Sequence, residues 1–241
     1  MNKFYYDLHV HSCLSPCADD DNTPNNLAGM AAVCELDIVA LTDHNTTRNC
    51  PAFFEAAEKH GIIPIAGMEL TTSEDIHIVC LFKSLDNAMR FGEYVESRLM
   101  PIKNRPDIFG EQIIMDGNDN IIGRVNNLLS VATDISVEAL PDLVRDYGGI
   151  CYPAHIDRDS NGIIAVLGAL PETPRFNTVE FNCEENIRRY TEKYSLSDKR
   201  CVMNSDAHFL GKMNDRSFYL SLDADKDTPD SVRNALIDYL R

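Results

Sequence analysis

The chain has 241 residues, 44% hydrophobic and 25% charged, which suits one globular domain with a sizeable core; no apolar run approaches a membrane span. Its formal net charge of −16 disfavours a long nucleic acid as partner, because a strongly acidic surface repels a polyphosphate backbone, although bound divalent cations would offset part of that charge. The start, MNKFYYDLHVHS, lacks the long apolar segment of a signal peptide, so a cytoplasmic protein is expected.

In chain order, FYYDLHV reads as a strand, and Thr23-Pro24 opens a helix with Thr as N-cap and Pro at the first helical position, running to about Glu35. DIVALTDH is a short buried strand, PAFFEAAEKHG a helix closed by Gly61, IIPIAGMEL and IHIVCLF two further strands, and DNAMRFGEYVESRL a helix. The alternation then breaks: EQIIMDGNDNIIGRV reads as two short β runs around a Gly-Asn-Asp-Asn turn, a hairpin. After it come a helix in SVEALPDLVRDYGG, a strand in ICYPAH, a short helix in NGIIAVLGALP, strands in TVEFN, RCVMNSDAH and SFYLSLD, and a closing helix in TPDSVRNALIDYLR. Short apolar strands alternating with helices predict a mainly parallel sheet with helices outside, either open or closed into a barrel. The eight cysteines are scattered without a CxxC pair, several of them in apolar runs, so buried reduced thiols are expected rather than a thiolate zinc site.

Metal-ligand residue types fall at the strand ends: His9 and His11 on the first, then His44, Glu69, His77, His155, and finally Asp206 with His208. In a β/α barrel the C-terminal strand ends meet at one mouth, so residues some two hundred positions apart would converge. Side chains two apart on a strand share a face, which predicts that His9 points with His11 and Asp206 with His208. A lone histidine is more often structural than a ligand; His60, near a helix C-terminus where a cation suits the dipole, is set aside on that ground. Six coincidences with strand ends are harder to dismiss. Asp19, Asp20 and Asp21 alone would read as a solvated loop, but their place just after the HxH pair makes one of them a candidate ligand.

At these residues the chain resembles the PHP (polymerase and histidinol phosphatase) family of metal-dependent phosphoesterases: DLHVHS, LTDHN, GMEL, IHIVCLF, PAH and SDAH occur in the family's order from Asp7 to His208. The resemblance implies a distorted (βα)7 TIM-like barrel, one domain over 1–241 with a small inserted hairpin segment at about 83–126, and three divalent metal ions at the C-terminal mouth. It implies that His9, His11, Glu69 and Asp206 hold the first metal, that Glu69 bridges to a second completed by His77 and His155, and that Asp19, His44 and His208 take the third, with Asp21 as the alternative to Asp19. The inserted segment follows the His77 strand and so could shape the substrate pocket.

Nine donors, mostly imidazole with carboxylates and no thiolate, suit Zn, Mn or Fe. Such metals clamp the attacking and leaving oxygens of an in-line phosphoryl displacement and turn a bound water into hydroxide near neutral pH. No Gly-x-Ser-x-Gly, Walker loop or Asp-x-Asp signature supplies a side-chain nucleophile instead. Asp7 and Asp43 adjoin ligand histidines and could orient their rings; Arg158 could grip a phosphate with its fork, and Arg48 is a weaker candidate. The leading expectation is therefore a hydrolase of a small phosphoester, a nucleotide or phosphorylated metabolite, with Glu69, Asp206 and Arg158 at its catalytic centre. The alternatives are an amidohydrolase-type metal hydrolase, disfavoured because no lysine sits at a strand end, and a metal-binding scaffold without catalysis.

Overall fold

The computed structural model describes residues 1–241. Its elements are β1 (Asn2–Val10), α1 (Pro24–Val33), β2 (Ile38–Leu41), α2 (Cys50–His60), β3 (Ile63–Thr71), β4 (His77–Phe82), α3 (Leu85–Glu96), α4 (Pro106–Phe109), β5 (Ile113–Met115), β6 (Ile121–Arg124), α5 (Leu140–Asp146), β7 (Gly149–Pro153), α6 (Ile163–Leu167), β8 (Thr178–Phe181), α7 (Glu184–Tyr194), β9 (Arg200–Met203), β10 (Tyr219–Leu222) and α8 (Pro229–Leu240). Local chemistry sets several boundaries as expected. Thr23 caps α1 by accepting from the Asn26 N–H, and Gly61 ends α2 in the left-handed conformation that costs glycine least. β5 and β6 form the antiparallel hairpin. Helices α4 and α7 were not anticipated; α7 is polar over most of its surface and packs only through partly buried residues such as Ile187, Tyr190 and Tyr194.

The main sheet has six strands in the order β10-β1-β2-β3-β4-β7 and is curled into a half-barrel, with β8 and β9 as a separate parallel pair beside it. The expectation of a mainly parallel sheet needs correction. β1, β2 and β3 run parallel, but β4 is antiparallel to both β3 and β7, and β10 is antiparallel to β1. Only residues 72–76 join β3 to β4, too short for the crossover a parallel pair requires. Because β4 is reversed, its first residue, His77, lies beside the end of β3, opposite Thr71. A strand start thus reaches the same mouth as the ends of its neighbours.

Side chains alternate between two cores. Phe4, Tyr6, Leu8, Ile38, Ala40, Ile63, Ile65, Val79, Leu81, Ile150 and Tyr152 pack on one face of the sheet, which α8 covers with Val232, Leu236, Ile237 and Leu240. Val10, Val39, Leu41, Met68, Leu70, Ile78, Cys80 and Phe82 face the other layer, with Phe53 of α2, Phe91 of α3 and Val144 of α5. Leu8 and Val10 fall in different clusters, and the β1–β2 register shifts between Asp7 and Val10. That bulge breaks the strict alternation and re-aims the side chains that follow it.

The pair β8–β9 joins the half-barrel mostly through side chains. On one flank Glu180 of β8 accepts from the backbone N–H of His155 after β7. On the other, Asn204 accepts from Leu8 N–H through Oδ1, Asp7 accepts from Ser205 N–H, and Val10 bridges to Ala207. The cysteines are all free; Cys13, Cys50 and Cys80 are buried, whereas Cys17 and Cys183 are exposed, so the expectation of buried thiols holds for some of them only. No helix is long and apolar enough to cross a membrane.

Candidate metal centre

His9 and His11 are fully buried and point to one place, as their spacing predicts. His9 Nε2 lies 3.4 Å from Glu69 Oε2 and 3.3 Å from Asp206 Oδ1; His11 Nε2 lies 3.3 Å and 2.9 Å from the same two oxygens and 3.1 Å from His9 Nε2. A tetrahedral ion with bonds of about 2.0–2.1 Å sets its ligand atoms about 3.3 Å apart, which these four donors match. On the other oxygen of Glu69, Oε1, converge His77 Nδ1 at 2.8 Å and His155 Nε2 at 3.0 Å. Glu69 sits within β3 rather than at its end, two residues after Gly67, where a Cβ would come within 2.8 Å of the Cys80 carbonyl oxygen. The glycine lets β3 and β4 press together under the carboxylate.

A third group comprises His11, His44 and His208, whose rings gather within 4.2–5.9 Å of one another, centroid to centroid. Asp19 borders it: its N–H donates to the His208 carbonyl, while its Oδ1 accepts from the Asp21 N–H. Asp21 is exposed, with its N–H held by Asp19 and its carbonyl by Asn26 Nδ2. Asp206 and His208 do converge, but not by strand alternation: β9 ends at Met203, and Asp206 is in the left-handed region at φ 53°. His155 at φ 29° and Asn45 at φ 51° are similarly placed. Such residues cost on the order of 1–3 kcal/mol each and persist only where the surroundings impose them.

The rings are held by the groups behind them. Glu180, buried in TVEFN, accepts from His9 Nδ1 at 2.9 Å and from Asn204 Nδ2 at 2.6 Å. Ser15 Oγ gives its hydrogen to Asp43 Oδ1 at 2.7 Å and therefore accepts from His11 Nδ1 at 2.9 Å. Both bonds place the proton on Nδ1 and leave Nε2 facing the cluster. Asp43 thus acts on His11 one step removed, through Ser15. Asp7 touches no ring. It accepts from the backbone N–H groups of His9, Ser205 and Asn214, so it fixes the chain across the β1–β9 gap, correcting the expectation that it orients an imidazole. Nothing in the sequence around Glu180 marks it except a lone carboxylate in an otherwise apolar strand.

The electrostatics favour positive charge at this point. Burial alone would raise the carboxyl of Glu69, yet His77, His9 and His44 hold it well below the carboxylate range. Asp206 is likewise held low, against burial, by His9 and His11. Burial works to lower His11, but hydrogen bonds to Asp206 and Glu69 raise it to about 9, and Glu180, Glu69 and Asp206 carry His9 well above its ordinary value against the same burial. His208 is lowered to about 4 by burial and by the charge of His11, and His44 is lowered well below its ordinary value, chiefly by burial. Burial raises the carboxyl of Asp7 to about 6, and it raises Asp43 as well.

These residues fit divalent metal ions. Glu69 Oε2 and His44 Nδ1 are buried and 3.0 Å apart without hydrogen-bond geometry. Buried polar atoms left unpaired in the middle of a ring of donors are what a cation would satisfy. The donors are nitrogen and carboxylate oxygen with no sulfur among them, a set suited to Zn, Mn or Fe. At the rim, Arg158 Nη1 lies 2.5 Å from Asp206 Oδ2 with its side chain 44% exposed. Arg48 instead grips both oxygens of Glu96 at 2.7 Å and faces a separate cavity, away from the role considered for it. His60 ends α2 beside Gly29 and Met30, apart from the cluster, as expected.

The PHP domain pattern matches residues 7–137. The chain is 38% identical over 74 residues to the error-prone DNA polymerase of Symbiobacterium thermophilum, a match covering 31% of this chain and 7% of that protein. It is 37% identical over 81 residues to the 5'-3' exoribonuclease Rnm of Salmonella typhimurium, covering 32% of this chain and 27% of that protein. These matches span only a minor part of either relative. In fold, the chain is similar to the lesion-specific endonuclease PfuEndoQ of Pyrococcus furiosus, with TM-score 0.63 and 17% identity over all of this chain and 57% of that one. Endonuclease Q has been seen with a 27-mer duplex carrying an abasic lesion at its active site, in a structure matching at TM-score 0.62 and 16% identity over the same shares. A protein described as a metal-dependent phosphoesterase, from Bifidobacterium adolescentis, matches at TM-score 0.59 and 20% identity over 97% of this chain and 96% of that one.

Proposed function

The chain belongs to the PHP family, and on that premise we propose that it is a metal-dependent phosphoesterase whose substrate is a nucleotide-sized phosphoester. The observation that carries this reading is the Glu69 carboxylate, with one oxygen among His9, His11 and Asp206 and the other between His77 and His155. One carboxylate shared by two groups of donors is the arrangement that would set two cations side by side. His44 and His208, with Asp19 beside them, would hold a third.

Bound there, divalent ions would acidify water and offset the charge that develops on phosphoryl oxygens. The chain's own groups do the rest. Glu180 and the Ser15–Asp43 pair keep the imidazole lone pairs of His9 and His11 aimed inward. Arg158, anchored to Asp206 and half-exposed, can turn one face of its fork to a phosphate at the rim. We read the whole as a distorted (βα)7 barrel in which residues 83–126 are an insertion. That segment docks on the ligand loops: Ile113 N–H donates to the Cys13 carbonyl, and Asn49 bonds to Ile113 and Met115.

An acidic surface repels long nucleic acid, but cations bound at the mouth would offset that repulsion there, and Endonuclease Q carries a DNA duplex on a similar fold. A nucleic-acid end is therefore the second reading. The test is a metal analysis of the purified protein, followed by assays with p-nitrophenyl phosphate, its bis-ester, nucleoside monophosphates and short oligonucleotides. Hydrolysis of a phosphoester that falls about a thousandfold in Glu69→Gln supports the proposal. Tight metal with no phosphoester turnover would favour a scaffold, and turnover of amides or lactones alone would favour an amidohydrolase.

A further inference from the structure

A cavity of about 390 Å³ opens on the turn that follows His44, within the range of roughly 300–1,000 Å³ that holds small ligands. One wall is Asn45 and Thr46, directly joined to a residue of the metal centre; the others are the end of α3, with Glu96 and Leu99, and the chain leaving the hairpin from Arg124 to Leu129. The shared wall is rigid. Asn45 donates through Nδ2 to the carbonyls of Leu129 and Val131 and accepts at Oδ1 from Thr71 N–H.

The lining has a specific chemistry. Leu99 and Leu129 supply a buried apolar floor. Two guanidiniums border it, and both have their charge already met: Arg48 by the two oxygens of Glu96, Arg124 by Glu111 at 2.9 Å. They are poorly placed to take another anion, but their flat faces remain available for stacking. Asn126 and Asn127 bond to the protein through their backbone carbonyls, to Asn104 N–H and to Gln112 Nε2, which leaves their carboxamides for a ligand. An apolar floor, flat cations and paired carboxamides are the complement of a nucleobase, which offers a π-face and an edge of donors and acceptors.

We propose that this cavity receives the nucleoside part of the substrate, with the base against Arg48 and Arg124 and its edge read by Asn126 and Asn127, while the phosphoester lies at the metal centre. The proposal rests on the reading of the chain as a phosphoesterase, but its test does not depend on turnover. Adenosine, guanosine, cytidine and uridine are each titrated into the full-length protein, followed by calorimetry or by amide chemical shifts. At least one should bind, and Arg124→Ala and Asn126→Ala, both at exposed positions that leave the core intact, should each weaken it by about tenfold. In turnover, the ratio of kcat/KM for the matching monophosphate to that for p-nitrophenyl phosphate should fall by a similar factor. No binding of any nucleoside up to millimolar concentration, or affinities indifferent to both substitutions, overturns the assignment. Nucleoside binding sensitive to these substitutions, in a protein that hydrolyses no phosphoester, would leave the cavity assigned and remove the catalytic reading instead.

Discussion

The two sides of the metal centre are built differently. On the deep side, His9 and His11 are fully buried, each ring is pinned at Nδ1, and two carboxylates stand within 3.4 Å of both Nε2 atoms. On the outer side, His208 is 23% exposed with the Asp206 carbonyl as the hydrogen-bond partner of its Nδ1, His44 Nδ1 is unpaired, and the Asp19 carboxylate caps the Asp21 N–H. The deep donors are preorganised and the outer ones are not, so affinity for a cation should be graded across a few ångströms. The phosphoester proposed as substrate would need a place where a ligand can be exchanged, and the loosely held side would offer it.

The comparison breaks first at Glu69, which serves both oxygens. Glu69→Gln should lower activity about a thousandfold and strip more than one equivalent of metal, measured by elemental analysis of the dialysed protein. Glu180→Gln should come next. It keeps the volume but weakens the bond to His9 Nδ1, and a loss of roughly 10–100-fold in metal affinity is expected at the deep side while the outer side keeps its own. A stepwise chelator titration tests the grading itself: the outer ion should leave first with little change in thermal stability, and the deep ions last, with a marked fall in Tm.

Proton release sharpens the same contrast. His11, raised to about 9 by its carboxylate partners, is protonated at pH 7 until a cation displaces the proton, whereas His208, lowered to about 4, is already neutral. Uptake at the deep side should therefore release protons into a weakly buffered solution and tighten as pH rises from 7 to 9, while the outer side shows neither effect. The smallest effect is expected at the loop. Asp19→Asn should weaken only the outer ion, by roughly tenfold, and Asp21→Asn should leave metal content as it was, since Asp21 lies exposed.

Much of this was legible in the chain. Metal-ligand types recurring at strand ends announced a shared mouth, and the HxH pair announced a shared face. What escaped was tertiary in origin. Glu180 is a single carboxylate in TVEFN, and only the packing of β8 against the β1 strand end shows that it faces His9. Asp7 looked like a partner of His9 because it is two residues away, yet its oxygens serve backbone N–H groups across a seam that no local pattern reveals. The reversal of β4 was readable, since five residues between β3 and β4 cannot carry a crossover. The left-handed turns at His155 and Asp206 were not, because neither residue type demands them.

The irregularity in β1 between Asp7 and Val10 has a consequence for how such a chain can change. β1 takes three steps from Asp7 to Val10 where β2 takes two from Val39 to Leu41, so removing Leu8 would restore one-to-one pairing and leave Val10 and His11 on their present faces, whereas a loss further along the strand would reverse them. A one-residue change in length should therefore be tolerated better at this point than elsewhere in the strand.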